Sequence, residues 1–147
     1  MSEPEFEVTF AVTQKIPDER VRDLLCSALE GGSNYWYANA TYHFEGMTRE
    51  EFDASVYVDK SRYWPWPGYH APFMRGCWVT IDEVNDDCTI EATHRIDRAS
   101  MLKALTLMAN SDKVPRRHWA DFLAENEDAD TGDVFLQLCC FDEIKYG

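Results

Sequence analysis

The residues best suited to chemistry lie in one ten-residue segment, ALEGGSNYWY at positions 28–37. Two adjacent glycines, Gly31 and Gly32, let the backbone turn sharply and let another group approach closely. Ser33 and Asn34 then supply hydrogen-bonding groups, and three aromatic side chains follow at 35–37. Ligand pockets and interfaces use this mixture of glycine, polar and aromatic residues. The plainer alternative is a glycine helix stop followed by a strand with one buried face.

A second aromatic stretch is predicted to form a Pro-rich loop over about 60–76, because its prolines exclude a central strand. Trp64 and Trp66 flank Pro65 and are hard to bury together. Arg62 and Arg75 bracket this loop. Rings and guanidinium groups together could hold a base that carries phosphate.

These residues give a predicted ligand-binding set for a small nucleotide-like ligand. For each member, a role in the core or on a solvated surface remains the alternative. Arg95, on a predicted strand, is included as a further cation. The set is Gly31, Gly32, Ser33, Asn34, Tyr35, Tyr37, Arg62, Trp64, Trp66, Arg75 and Arg95.

The net charge of −13, from 27 acidic and 14 basic residues, argues against direct binding to nucleic acid. The same charge attracts a basic protein surface, or serves solubility alone. Carboxylates spaced like phosphates could also mimic a nucleic acid. The surface acids for such a role are Asp86, Asp87, Glu125 and Glu127.

Metal, cofactor and catalytic motifs are missing from the sequence. The acidic run at 128–133 superficially matches a calcium loop, but Asp133 stands where glycine is needed and Cys139 where glutamate is needed. We predict a helix start there, capped by Thr131 or Asp130. Without a nucleophile or zinc signature, we expect no enzyme activity, no cofactor and no metal. The five cysteines are predicted to be buried free thiols.

Hydrophobic periodicity predicts one α+β domain over 1–147, with a mostly antiparallel sheet of about four strands and three to five packed helices. Predicted strands cover 6–12, 34–44, 77–83 and 89–96, the last two as a hairpin. Within 34–44, alternation predicts that Trp36, Ala38, Ala40, Tyr42 and Phe44 face the core. Helices are predicted to begin at Pro17, Thr48, Asp97 and Pro115 and after the acidic run, with Gly31 ending the first. No apolar run suits a membrane span and no export signal is visible, so a cytoplasmic location is expected.

The chain resembles a family of small bacteriophage proteins that carry the segment ALEGGSNYW. A second stretch of resemblance lies at 128–147, where DADTGDVFLQ and FDEIKYG are similar to the family's closing pattern. Asp142 stands where the family often has glycine. The resemblance adds Asp133 and Gln137 to the predicted ligand set and implies that the two stretches pack together around one site.

Phage genes of this kind often disarm host immunity, so the resemblance implies a counter-defence protein that acts by binding. The first hypothesis is sequestration of a nucleotide-derived immune signal without turnover. The alternative is an acidic inhibitor, or nucleic-acid mimic, of a host defence protein such as a CRISPR effector. A third hypothesis is a small enzyme that cleaves the signal. A homodimer or larger homo-oligomer would suit a site at an interface.

Overall fold

The fold was obtained as a computed structural model, which describes residues 4–9, 11–56 and 66–147. It is an α+β fold, as predicted, with one antiparallel sheet and packed helices. The elements in chain order are α1 (Asp18–Ser27), a π-helical turn (Ala28–Gly32), β1 (Tyr37–Phe44), α2 (Arg49–Val56), two 3₁₀ turns (Pro67–Tyr69 and Ala71–Phe73), β2 (Cys77–Val84), β3 (Ile90–Ile96), α3 (Arg98–Asn110), α4 (Arg116–Leu123) and α5 (Ala129–Phe141).

The sheet has the strand order β1-β2-β3, so β2 is central and both neighbours are edges. The predicted hairpin is confirmed, since β2 pairs with β3 in antiparallel register. Burial alternates along β2 from one residue to the next. One face of the sheet, which includes Val79 and Ile81, therefore packs into the core. The other face, which includes Trp78 and Thr80, is open to solvent.

A β-bulge in β1 changes which side chains face the core. Asn39 has φ of 55°, and the pairing with β2 shifts register between Ala38 and Thr41. Beyond the bulge, Tyr42 lies opposite Val79 on the core face, as alternation predicted. Before it, Ala38 lies opposite Asp82 and not on the core face, so the prediction for Ala38 was wrong. An extra residue in a strand shifts the alternation across the bulge, because the side-chain period is two. Trp36, which precedes β1, is nevertheless fully buried, as predicted.

Side-chain caps fix where the helices begin. Thr48 and Glu51 form the predicted capping box of α2, with Glu51 N donating to Thr48 Oγ1 over 3.1 Å. Asp97 caps α3 in the same way through Ser100. For α5 the cap is Asp128, whose carboxylate accepts from Thr131 N over 2.9 Å. The predicted cap, Thr131 or Asp130, was therefore wrong. The capping residue must come before the backbone N–H groups that its side chain satisfies, and Asp128 does.

The core is built around α5, which is buried continuously from Thr131 to Cys139. It packs against α1, the π-helical turn, α3 and the inner side of β3. Gln137 lies in this interior with Phe135, Leu136 and Leu138, all fully buried. A helix buried on all sides needs partners for its polar groups. Those partners define the polar network described below.

Two sequence predictions of buried apolar surface were wrong. Residues 4–9 and 11–16 form no strand, and the described chain therefore has three strands where about four were expected. Phe6 is 99% exposed there. Helical spacing groups Leu102 with Met101 and Leu105 on one face of α3 and predicts a buried Leu123 on α4, but Leu102 and Leu123 are 65% and 44% exposed. Their helices turn these side chains toward a groove, while Met101 and Phe122 face the core.

The cysteines are free, as predicted, although only Cys77 and Cys139 are fully buried and Cys88 is exposed. Among the described residues, no helix has the length and apolarity needed to cross a membrane. The predicted loop is described only from Trp66 onward, where two 3₁₀ turns bring Tyr69 into the core. Arg62 and Trp64 lie outside the described residues.

The two glycines of the GGS segment make a matched test of close packing. A Cβ on Gly32 would lie 2.3 Å from Ala129 O, whereas a Cβ on Gly31 would meet nothing within 4 Å. We expect Gly32→Ala to lower the free energy of unfolding by about 1–3 kcal/mol, the usual cost of overpacking. Gly31→Ala is expected to be neutral or stabilising, since alanine favours helix. Urea unfolding of both variants would contradict this if their midpoints moved together.

Candidate functional site

The ten-residue segment and α5 are joined by one buried carboxylate, that of Asp133. Its Oδ1 accepts from Ser33 Oγ and from Trp36 Nε1, each over 2.7 Å. Its Oδ2 accepts from Tyr35 OH over 2.6 Å and from Gln137 Nε2 over 3.1 Å. Asp133 is only 5% exposed, and this full set of donors compensates for its desolvation.

Gln137 extends the network from Asp133 to the end of the chain. It lies one helical turn after Asp133 on α5, so the two side chains share a face. Its Oε1 accepts from the backbone N–H groups of Lys145 and Tyr146, each over 2.8 Å. Its Nε2 donates to Tyr146 O over 3.1 Å. One buried amide therefore holds the C-terminal segment in place.

Glu83 on β2 makes a second attachment to the same C-terminal segment. Its carboxylate accepts from Lys145 Nζ over 2.5 Å and from the Tyr146 hydroxyl, and it lies 3.0 Å from His94 Nε2. Burial alone acts to raise the Glu83 pKa, but these three hydrogen bonds outweigh burial and lower it to about 2. The Tyr146 ring stacks on Trp36 at 5.8 Å between ring centres.

The two stretches that carry the resemblance therefore do pack together, as expected, but they do so through internal bonds. Ser33, Asp133 and Gln137 are buried and their polar atoms bond to one another or to the C-terminal segment. Tyr35 is 54% exposed at its ring, yet its hydroxyl donates inward. Burial and this bond to Asp133 both raise the pKa of Tyr35, which keeps the phenol protonated as a donor.

The other predicted ligand residues are dispersed. Tyr37 donates its hydroxyl to Leu29 O, which ties β1 to the π-helical turn. Trp66 packs edge-on against Tyr42 and Tyr69. Asn34, Arg75 and Gly31 are exposed at the surface, whereas Gly32 is packed against Ala129.

Arg95 belongs to a cluster on the open face of the sheet. Its guanidinium lies 4.2 Å from the Trp78 ring centre, and the His43 ring stacks on Trp78 at 5.4 Å. His43 Nε2 is 2.9 Å from Thr80 Oγ1. Sequence reasoning missed Trp78 and His43. The available signal was a tryptophan on the polar face of a strand, where alternation predicts solvent exposure.

A groove of about 750 Å³ lies elsewhere, between residues 11–16, α1, α3 and α4. Its walls are mainly apolar and include Val21, Phe73, Met101, Leu105, Trp119 and Leu123. Sequence reasoning missed the groove because the segments that form two of its walls were predicted to have other surroundings. Residues 6–12 were assigned to a strand, and the exposed side of α3 was assigned to the core.

Charged and polar groups border this groove. Arg98 and Asp18 form an ion pair at its edge, with 2.6 Å between Nη2 and Oδ2. The Arg98 side chain is 63% exposed. The Arg22 guanidinium lies 4.8 Å from the centre of the Phe73 ring, which is part of the wall. Gln14, Thr106 and Asn110 add neutral polar groups to the wall.

Within the described ranges, no three His, Cys, Asp or Glu side chains are grouped as a metal would require. The groove lining contains no histidine, cysteine or serine. No family model, no curated protein and no solved structure matches the chain. The function is therefore argued from the geometry of the groove and its surroundings.

Replacing Asp133 with its amide isostere should expose the cost of the buried network. In Asp133→Asn, an NH₂ group replaces one of the two oxygens that accept hydrogen bonds. Because NH₂ is itself a donor, at least one buried donor loses its partner. We expect the free energy of unfolding to fall by about 1–3 kcal/mol for each such donor. The control is Asp130→Asn on the same helix, whose exposed pair with Arg117 contributes about 1 kcal/mol or less. Equal losses in the two variants would contradict a structural role for Asp133.

The attachment at Glu83 predicts a loss of stability in acid. Its folded pKa of about 2 lies below the ordinary value of 4.5, so its contribution is complete above pH 4.5. That contribution is lost as pH falls from about 4.5 to about 2, because the unfolded chain then binds the extra proton. Chemical unfolding as a function of pH should show this acid slope in the native chain and a shallower slope in Glu83→Gln. Identical slopes would show that Glu83 titrates normally.

Proposed function

We propose that this protein binds a nucleotide-derived ligand in the groove between α1, α3 and α4 and holds it without turnover. The observation that carries the proposal is a groove of about 750 Å³ with apolar walls and an exposed arginine at its edge. Small-molecule sites have volumes of roughly 300–1,000 Å³ and a few polar groups among apolar walls. The groove fits this description.

The walls suit the flat, apolar faces of a nucleobase. Trp119 and Phe73 supply rings at the groove, and Met101 adds a polarizable thioether. Thr106, Asn110 and Gln14 offer hydrogen-bonding groups for base edges or ribose hydroxyls. The open face around Trp78 is less suitable for a small ligand, because His43 and Arg95 already cover that ring.

A phosphate group requires a local cation in a chain whose net charge is −13. Arg98 meets this need because its only ion pair in the described chain is with the exposed carboxylate of Asp18. A phosphate can replace that carboxylate and accept two parallel N–H bonds from the guanidinium. Arg22, which lies over the wall residue Phe73, brings a second positive charge near the groove.

Sequestration is favoured over cleavage by the types of side chain at the groove. Hydrolysis of a phosphoester needs a general base, a nucleophile or a metal placed at the reacting atom. The lining offers one carboxylate, Asp18, and no histidine, cysteine or serine. A phage counter-defence role, which the family resemblance implies, is compatible with stoichiometric capture and is part of this proposal.

The acidic-inhibitor hypothesis remains as a second candidate on one observation. Asp86 and Asp87 are exposed at the tip of the β2–β3 hairpin, where a basic partner could reach them. The other two acids proposed for this role are less suited, because Arg20 forms ion pairs with Glu125 at 3.6 Å and Glu127 at 3.3 Å. One positive charge therefore offsets part of the negative charge of these two acids.

A thermal-shift scan against cyclic dinucleotides, cyclic trinucleotides and cyclic ADP-ribose isomers tests the proposal. A ligand that binds only the folded chain raises the melting temperature with concentration. We expect one compound to do so and to be recovered chemically intact. Arg98→Ala should weaken that compound's binding by about 10- to 100-fold, the contribution of a charged hydrogen bond. Leu102→Asp should also weaken it by placing a like charge at the groove.

The matched control is Arg95→Ala, which removes an arginine from the open sheet face and leaves the groove intact. Loss of binding in Arg95→Ala but not in Arg98→Ala would move the site to the Trp78 cluster. Recovery of a cleaved compound would replace sequestration with catalysis. No shift with any compound, together with capture of a host protein that depends on Asp86 and Asp87, would favour the acidic inhibitor.

A further inference from the structure

The N-terminal arm, residues 4–9 and 11–13, has the alternating sequence of a strand, but these described residues pair with no strand of the sheet. Its apolar residues alternate with Glu5, Glu7 and Thr9. Phe6, Val8 and Val12 are nevertheless 99%, 76% and 71% exposed. A period of two is typical of a strand with one buried face. The arm therefore carries an apolar face that the single chain leaves in water.

The same chain has an unpaired sheet edge. β3 pairs with β2 on one side, and no other described segment makes a backbone hydrogen bond with Ile90–Ile96. Proteins protect such edges with lysine, proline or bulges. The sequence IEATHRI contains neither lysine nor proline, although Glu91 and Arg95 are charged. Its pairing with β2 is irregular at Glu91 and regular over Ala92–Ile96, which leaves five residues of uninterrupted edge. The other edge strand, β1, is interrupted near its middle by the bulge at Asn39.

We propose that the arm of one copy adds as a strand to the free edge of β3 in a second copy. The exchange is reciprocal and closes a two-fold dimer. Each copy then supplies one arm and receives one, which is the symmetry that a self-complementary interface requires. The added strand takes up the free N–H and C=O groups of β3 by β-augmentation. The arm is long enough, since β3 has seven residues.

Side-chain chemistry along the two segments is complementary. On β3, Thr93 and Arg95 belong to the open face, while His94 and Ile96 face the helices. Pairing that turns Val8 toward the helices places Glu7 on the open face with Arg95. Opposite charges on neighbouring strands stabilise pairing, while a one-residue slip would expose the apolar row again. The arm and the edge therefore select which face of the arm turns toward the helices.

The arm of the same chain does not occupy this edge. The described residues 4–9 and 11–13 are exposed and make no backbone hydrogen bond with β3. Ala11 and Val12 also border the groove, so pairing of the arm with the edge of a second copy would change that wall of the groove. The inference goes beyond the proposed function and requires no ligand.

Sedimentation and light scattering of the full chain across a concentration series test the dimer. We expect a mass of twice 17.1 kDa that falls to the monomer mass on dilution. Val8→Asp places a charge in the buried face of the added strand and should shift the population to monomer. Ile90→Lys places a lysine on the edge at a residue that is 53% exposed, and should do the same without unfolding the monomer. Thr9→Asp, on the other face of the arm, is the matched control and should leave the dimer intact.

The exposed thiol of Cys88, two residues before β3, reports which chain supplies the arm. Cysteines introduced singly at the two ends of the arm, as Glu5→Cys and Thr13→Cys, can form a disulfide with Cys88. An antiparallel arm brings position 13 nearest and a parallel arm position 5. We expect one of the two to give a covalent dimer under oxidation that is absent after Cys88→Ser. A monomer at every concentration, a dimer unaffected by Val8→Asp and Ile90→Lys, or a disulfide confined within one chain would overturn the proposal.

Discussion

The rest of the structure depends on the carboxylate of Asp133. This residue lies within α5, a helix that is buried on all sides. A charge in that position is tolerated only when hydrogen bonds replace its water. Four donors do so, and three of them come from residues 33–36. The chain between the π-helical turn and β1 is therefore held against α5. The same bonds fix the position from which β1 begins.

Close approach of backbones is the condition for those bonds. Gly132 lies against Ser27 and Ala28, and Gly32 lies against Ala129, each at a distance that excludes a side chain. The two glycines thus act from opposite sides of one contact. Gln137 and Glu83 then attach the C-terminal segment to the same centre. The segment that looked most like a ligand site is accordingly explained by the packing of the two stretches against each other, and the groove offers a better place for a ligand.

Local sequence signals predicted the helices and strands well. Features that depend on contacts between distant parts of the chain could not be predicted from the sequence. The capping residues Thr48 and Asp97 act within one turn, so their pattern is visible in the sequence. The bulge at Asn39 was invisible, because asparagine at a positive φ leaves no periodic trace, and it changed the face of the residues at the start of β1. The proximity of residues 28–37 and 128–147 was expected from the resemblance, but the role of Asp133 as a shared acceptor depends on partners about one hundred residues away.

Arm exchange and ligand capture would meet at residues 11–16, which connect the arm to α1 and form one wall of the groove. In the single chain, the described residues of the arm make no backbone hydrogen bond to the sheet, so that wall is tethered at one end only. Pairing of the arm with a second copy would tether the other end. A wall fixed before the ligand arrives loses less conformational entropy on binding. Dimer formation would then raise affinity without adding a contact to the ligand, and ligand binding would favour the dimer by the same free energy.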